Sequence, residues 1–231
     1  MRYLHPVAAS EKFIARGVYR FYEGDTLLPR RQSWSRHMLA GGGLLTRIDH
    51  EWEGITALAE VLSDSQAHIE RVTIREWNTQ PSSSYHVGRL DYIFFPTYVQ
   101  AIRRIDSQNT EQAEIKFDTL DTFISLINFV VYWGVSYREL AKKENINRAV
   151  FITMLDIEDA LGTLTSNVSP PQLIDQGSIL WQNRLCHTKT YRQFGNTIVV
   201  DDNDIVLKAE TEKYSHHLHQ PHIVLTEYAH I

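Results

Sequence analysis

Between Val18 and Ile105 the chain repeats one arrangement. Short runs rich in β-branched and aromatic side chains are separated by small clusters of turn-forming residues. The runs are Val18–Glu23, Arg31–Leu39, Leu44–Trp52, Ile55–Leu62, His68–Asn78, Tyr85–Phe94 and Tyr98–Asp106. The breaks fall at Glu23-Gly24-Asp25, Gly41-Gly42-Gly43, Glu53-Gly54, Asp64 and Pro81 to Ser84. Such spacing marks strands joined by short connections, which pair as an antiparallel meander. In the fifth run, Ile69, Arg71, Thr73, Arg75 and Trp77 share one face, and Glu70, Val72, Ile74 and Glu76 the other. A meander of this length must roll up to bury a face, so a barrel or a strongly curved sheet is expected.

The pattern changes after Asp118. Leu120, Phe123, Ile124, Ile127 and Val131 recur at helical spacing, with Asp118 or Asp121 placed to cap and Gly134 to stop the helix. A second helix is expected over Tyr137–Asn145. A third is expected from Asn147 to Leu164, on the stripe Val150, Met154, Ile157, Leu161 and Leu164. Strands return at Ile179–Cys186, Thr190–Phe194, Thr197–Val200 and Ile205–Glu210, the last two joined by the tight turn Asp201-Asp202-Asn203-Asp204. The expected class is α+β: one domain, mostly an antiparallel β meander, with a helical insertion near residues 118–165 covering the sheet.

With 231 residues and a single cysteine, Cys186, the chain has a core large enough to need no disulfide and no means of making one internally. Met1 to Gly17 has no apolar stretch of signal-peptide length, and Phe129 to Trp133 is too short to span a bilayer. A cytoplasmic location and no membrane span are expected. A net charge of −5, with neither sign dominating a long stretch, gives no general nucleic-acid surface. Gly41-Gly42-Gly43 lacks the Lys-Ser/Thr of a phosphate loop and the spacing of a dinucleotide fingerprint. Neither a Gly-x-Ser-x-Gly elbow nor a His-Glu-x-x-His pair occurs, so no cofactor is expected. The histidines His216, His217, His219 and His222 lack the carboxylate or thiolate companions of a dedicated metal site, and Pro221 interrupts their strand.

Three functions fit these features. In the first, the sheet encloses an apolar cavity for a hydrophobic small molecule of lipid, polyketide or terpenoid type. Trp34, Trp52 and Trp77 then form the wall, with Arg75, His37 and Tyr22 as polar anchors and Tyr92 beside them as a binding residue. In the second, the same cavity serves a cofactor-independent cyclase or isomerase, with His37, His50, His86 and Tyr22 as candidate acid–base groups. In the third, Ser136–Leu155 resembles the helix-turn-helix of bacterial regulators, which implies Asn147 and Arg148 as base-reading residues of a ligand-responsive DNA-binding protein.

The early strand Gly17-Val18-Tyr19-Arg20-Phe21-Tyr22-Glu23-Gly24 and the late hairpin Ile198 to Glu210 together resemble curved β-sheet families of lipid-binding type. These are the lipoprotein-carrier-like and glycolipid-binding proteins. The resemblance implies that the late hairpin, with its Asp-rich turn, closes the sheet. It also implies that the stretch Asp118 to Leu164 is a helical lid over the open side.

Overall fold

The computed structural model describes residues 1–66, 68–80, 86–106, 110–116, 122–126, 129–142, 148–151, 169–193, 195–211 and 221–230. Its first eight strands are β1 (Lys12–Glu23), β2 (Thr26–Met38), β3 (Leu44–Trp52), β4 (Ile55–Ser63), β5 (Ile69–Asn78), β6 (Val87–Phe95), β7 (Tyr98–Ile105) and β8 (Glu111–Lys116). Each pairs antiparallel with the next. After them come β9 (Thr122–Ser125), a 3-10 turn at Val130–Tyr132, the helix α1 (Trp133–Ala141) and β10 (Arg148–Phe151). The chain then returns to strands as β11 (Gln172–Trp181), β12 (Arg184–Gln193), β13 (Asn196–Asp201), β14 (Val206–Thr211) and β15 (Pro221–His230).

Thirteen of these strands form one antiparallel sheet, in the order β11, β12, β13, β14, β15, β1 and then β2 through β8. Among the described residues β11 and β8 remain as its two edges. Register aligns core-facing side chains in rows that cross the strands. One row runs Gly17, Trp34, Ile48, Ala59, Ile74 and Leu90; the next runs Tyr19, Gln32, His50, Ala57, Glu76 and Gly88. The 3-10 turn and its flanks pack on this face, with Leu126, Phe129, Val130, Val131 and Tyr132 all buried.

One packing detail fixes the centre of the core. Trp34 is fully buried between Tyr19 and Tyr228, and its indole lies over Gly17. A Cβ at Gly17 would stand 2.8 Å from both Trp34 and Leu225 side-chain atoms. Replacing Gly17 by Val is therefore expected to destabilise the fold by about 1–3 kcal/mol through overpacking. A lowered urea midpoint with an unchanged slope would check it, and an unchanged midpoint would refute the close approach. Gly134 plays the same part where α1 meets the turn after β13. A Cβ there would lie 2.0 Å from the Asp204 carbonyl oxygen, and Arg138 of α1 makes an ion pair with the Asp204 carboxylate.

Several elements depart from the sequence-based expectation. Thr122–Ser125 and Arg148–Phe151 are strands, paired parallel with each other, where helices were expected. Their Phe, Ile and Val residues satisfy both periods over so few positions, and tertiary pairing decides. The described helix begins at Trp133, four residues before the expected Tyr137, and runs through Gly134 instead of ending there. Ile179–Cys186 is not one strand. Gln182 and Asn183, both at positive φ, turn the chain between β11 and β12. The turn carries no glycine, so its signal was weak.

Pro221 does not break its strand but opens it, a position where the missing N–H costs nothing in the ladder. The hairpin of β13 and β14 forms as expected, but it does not close the sheet. β15 lies between β14 and β1, and β11 and β12 extend beyond β13.

Candidate functional site

The core face carries one connected set of polar groups. The Val130 backbone N–H, a donor that cannot invert, donates to Gln32 Oε1 at 2.8 Å. That fixes the amide orientation, so Gln32 Nε2 donates to His50 Nδ1 at 2.9 Å. His50 Nδ1 is then an acceptor and the ring proton sits on Nε2. This Nε2–H is buried and has no hydrogen-bond acceptor among the described residues. Burial pushes the His50 pKa down to about 3, and the positive charge of nearby Arg30 adds to the effect. At neutral pH the ring is a fixed, uncharged donor.

Arg30 stands one rung further along the core face, opposite Trp52. Its guanidinium carbon lies 4.3 Å from the Phe21 ring centroid and 4.7 Å from that of Trp52. Burial lowers its pKa, and its Nε is buried with no hydrogen-bond acceptor among the described residues. A guanidinium between two aromatic faces keeps much of its attraction without water. Glu76, also buried, belongs to the His50 row two strands away, which is about 10 Å at the usual strand spacing. The small residues Ala57 and Gly88 flank it in that row.

The outer face has a separate network built on the N-terminal segment. Glu11 accepts two hydrogen bonds from Arg47, at 2.5 and 2.8 Å, and Arg47 Nε lies 3.3 Å from Glu60. His5 Nδ1 is 2.6 Å from Glu60, and Arg2 pairs with Asp49 and Glu51. This covering explains why Gln32, Ser33, Trp34 and Ser35 are all buried, although strand alternation faces them in opposite directions.

The candidates named from sequence do not converge. Of the four acid–base candidates, His50 alone lies among the core-face polar groups. His37 is buried on the outer side beside Ser35 and Glu11, and its pKa is lowered, chiefly by burial. Tyr22 stacks on His222 at 4.9 Å, away from the row of His50. His86 is exposed, and its backbone N–H turns toward the Asp106 carboxylate.

Among the wall residues, Trp34 is central core, Trp52 sits 41% exposed at the rim, and Tyr92 is buried on the core face with its pKa pushed up to about 12 by burial. Arg75 and Trp77 belong to the outer face, where the guanidinium packs 4.9 Å from the indole centroid. They cannot line the core side, because strand alternation places Ile74 and Glu76 there.

Arg148 lies on β10, a strand where the DNA-binding reading expects a helix. Asn147 lies outside the described residues, as do His216, His217 and His219. Gln32, Arg30 and Glu76 were missed by sequence reasoning. Gln32 and Arg30 alternate with Trp34, so period two already set them on its face.

No family model matches the chain, and no curated protein does. Among solved structures it is similar to the crystal structure of a beta-barrel-like protein of the Domain of Unknown Function DUF1849 from Brucella abortus. The match has a TM-score of 0.54 and 10% sequence identity, over 96% of this chain and all of that one. The likeness is one of fold. It supports a mostly antiparallel, barrel-like sheet and assigns no residue a role. Among the described residues no helix is long and apolar enough to cross a membrane.

Proposed function

We propose that this protein binds a hydrophobic small molecule, of lipid, polyketide or terpenoid type, against the core face of its curved sheet. The single observation that carries the reading is the His50 Nε2–H: a buried donor, fixed in tautomer, with no acceptor among the described residues. A buried donor left unmade costs about 1–3 kcal/mol, so a ligand carbonyl or hydroxyl placed there recovers that energy. Arg30, between Phe21 and Trp52, supplies a second donor at the rim. Leu90, Tyr92, Ala57 and Ala59 give the face an apolar surface. One or two fixed donors in an apolar surround is the usual make-up of such a site. His50 serves here as an anchor rather than as a proton shuttle, because its pKa lies far from neutrality.

The test uses Prodan, an uncharged naphthyl ketone whose emission reports hydrogen bonding to its carbonyl. His50→Leu keeps the volume and removes the donor. Its expected effect is a roughly tenfold loss of Prodan affinity, the equivalent of about 1.4 kcal/mol, together with a blue-shifted bound emission. Arg75→Gln and Trp77→Ala, on the outer face, are expected to leave affinity unchanged. Equal affinity and equal emission in wild type and His50→Leu would sink the proposal. Wild-type affinity is also expected to stay flat from about pH 5 to 8, since His50 remains neutral throughout that range. A tenfold change across that window would mean that His50 titrates and is not held as described.

A further inference from the structure

The outer face holds a cavity, unrelated to the His50 row. It is a groove of about 520 Å³ beneath the N-terminal segment, over β15, β1 and β2. Its walls carry three arginines, Arg16, Arg20 and Arg31, against a single carboxylate, Glu227. Ser33 and Ser35 supply buried hydroxyl groups at its floor, while Tyr3 and Phe13 add aromatic surface. The volume is that of a small-molecule site.

The charges are arranged against the fold's own interest. Arg20 and Arg31 are directly opposite each other in the β1–β2 ladder, a placement of like charges that weakens strand pairing. Neither Arg16 nor Arg20 has an ion-pair partner among the described residues. Arg31 pairs with Glu51 at 3.0 Å, but Glu51 also receives Arg2 at 2.6 Å. Arg31 Nε is buried with no hydrogen-bond acceptor among the described residues. In a chain whose net charge is −5, three clustered cations over buried hydroxyls concentrate positive potential at one place.

We infer that this groove is an anion-binding site. Its ligand is a free amphipathic anion, whose carboxylate, sulfonate or phosphate group sits between Arg20 and Arg31 and whose flat apolar body lies along Phe13 and Tyr3. The bound anion neutralises the opposed arginines, so occupancy stabilises the β1–β2 pairing that their like charges weaken. Tyr3 reaches the groove from a segment tied down by Arg2 to Asp49 and by His5 to Glu60. The roof is therefore held by ion pairs rather than by strand hydrogen bonds.

Anilinonaphthalene sulfonate, an anion with a flat apolar body, is the probe, titrated by fluorescence against the full chain. An Arg16→Gln/Arg20→Gln double variant is expected to bind it at least tenfold more weakly, as the loss of charge-assisted hydrogen bonds implies. The same variant is expected to keep or raise its thermal midpoint in the absence of probe, because an unfavourable charge pair is gone. His50→Leu is expected to bind the sulfonate as wild type does, which separates this site from the core face. Affinity unchanged in the double variant would overturn the inference. So would loss of sulfonate binding in His50→Leu with the arginines intact.

Discussion

Trp34→Ala is expected to lower the free energy of unfolding by about 3–5 kcal/mol, the range for removing a buried tryptophan. The indole is fully buried, stacks on Tyr19, tilts against Tyr228 and covers Gly17. Gly17 and Tyr19 are held on β1 and Tyr228 on β15, both within the paired sheet, so the space left cannot close by moving one side chain. Against a typical total of about 5–15 kcal/mol this is a large fraction, and the thermal midpoint is expected to fall by about 6 °C or more. Urea unfolding followed by tryptophan fluorescence and circular dichroism reads it. A loss below about 1 kcal/mol would mean that Trp34 is not the keystone described. The expected outcome differs from that of a pocket-wall tryptophan, whose removal weakens a ligand and leaves the fold intact.

The second large effect concerns Arg47, whose side chain is 2% exposed, facing Glu11 at 5%. Arg47→Met is expected to cost about 3–5 kcal/mol at neutral pH, because it leaves Glu11 and Glu60 buried without their shared cation. The pH dependence gives a sharper readout. In the wild type the hydrogen bonds from Arg47 lower the Glu11 pKa from 4.5 to about 2. A folded-state value below the unfolded one adds stability that is fully present above about pH 4.5 and lost as pH falls toward 2.

Without Arg47 the sign reverses. Burial then favours the neutral carboxyl of Glu11, its folded-state value rises, and the variant is expected to gain stability on going from about pH 7 to 5. Wild type should show no such gain from this pair. Parallel urea titrations at the two values decide it. A variant whose stability does not rise on acidification would refute the buried pairing.

The sequence was legible wherever a local rule acted alone. Glu53-Gly54 joins β3 to β4, and Asp201 to Asp204 turns β13 into β14, because Gly54 and Asp204 take the positive φ those turns require. The division of β5 into two faces also held: Val72 and Ile74 share the buried face, with Arg71 and Arg75 exposed on the other. The site was less legible, because a tryptophan or arginine in a strand does not announce which face is the inner one. Arg75 and Trp77 read as a binding pair by residue type, yet they sit back to back with the core. His50 was named as an acid–base group, whereas its contact with Gln32, held in turn by Val130, makes it a fixed donor. That link spans 98 residues of chain and has no sequence signature.

Strand alternation, turn chemistry and the near absence of cysteine thus determined an antiparallel, β-dominated chain that folds without disulfides. Those properties depend on a residue and its near neighbours, so the sequence contains them directly. Only the tertiary structure decided that β15 enters between β14 and β1, and that Thr122–Ser125 and Arg148–Phe151 pair as strands. It alone decided that the N-terminal segment buries a second, charged layer on the outer face. Each of those outcomes joins segments far apart in the chain. The energy that selects them comes from contacts formed only once those segments meet in the folded sheet.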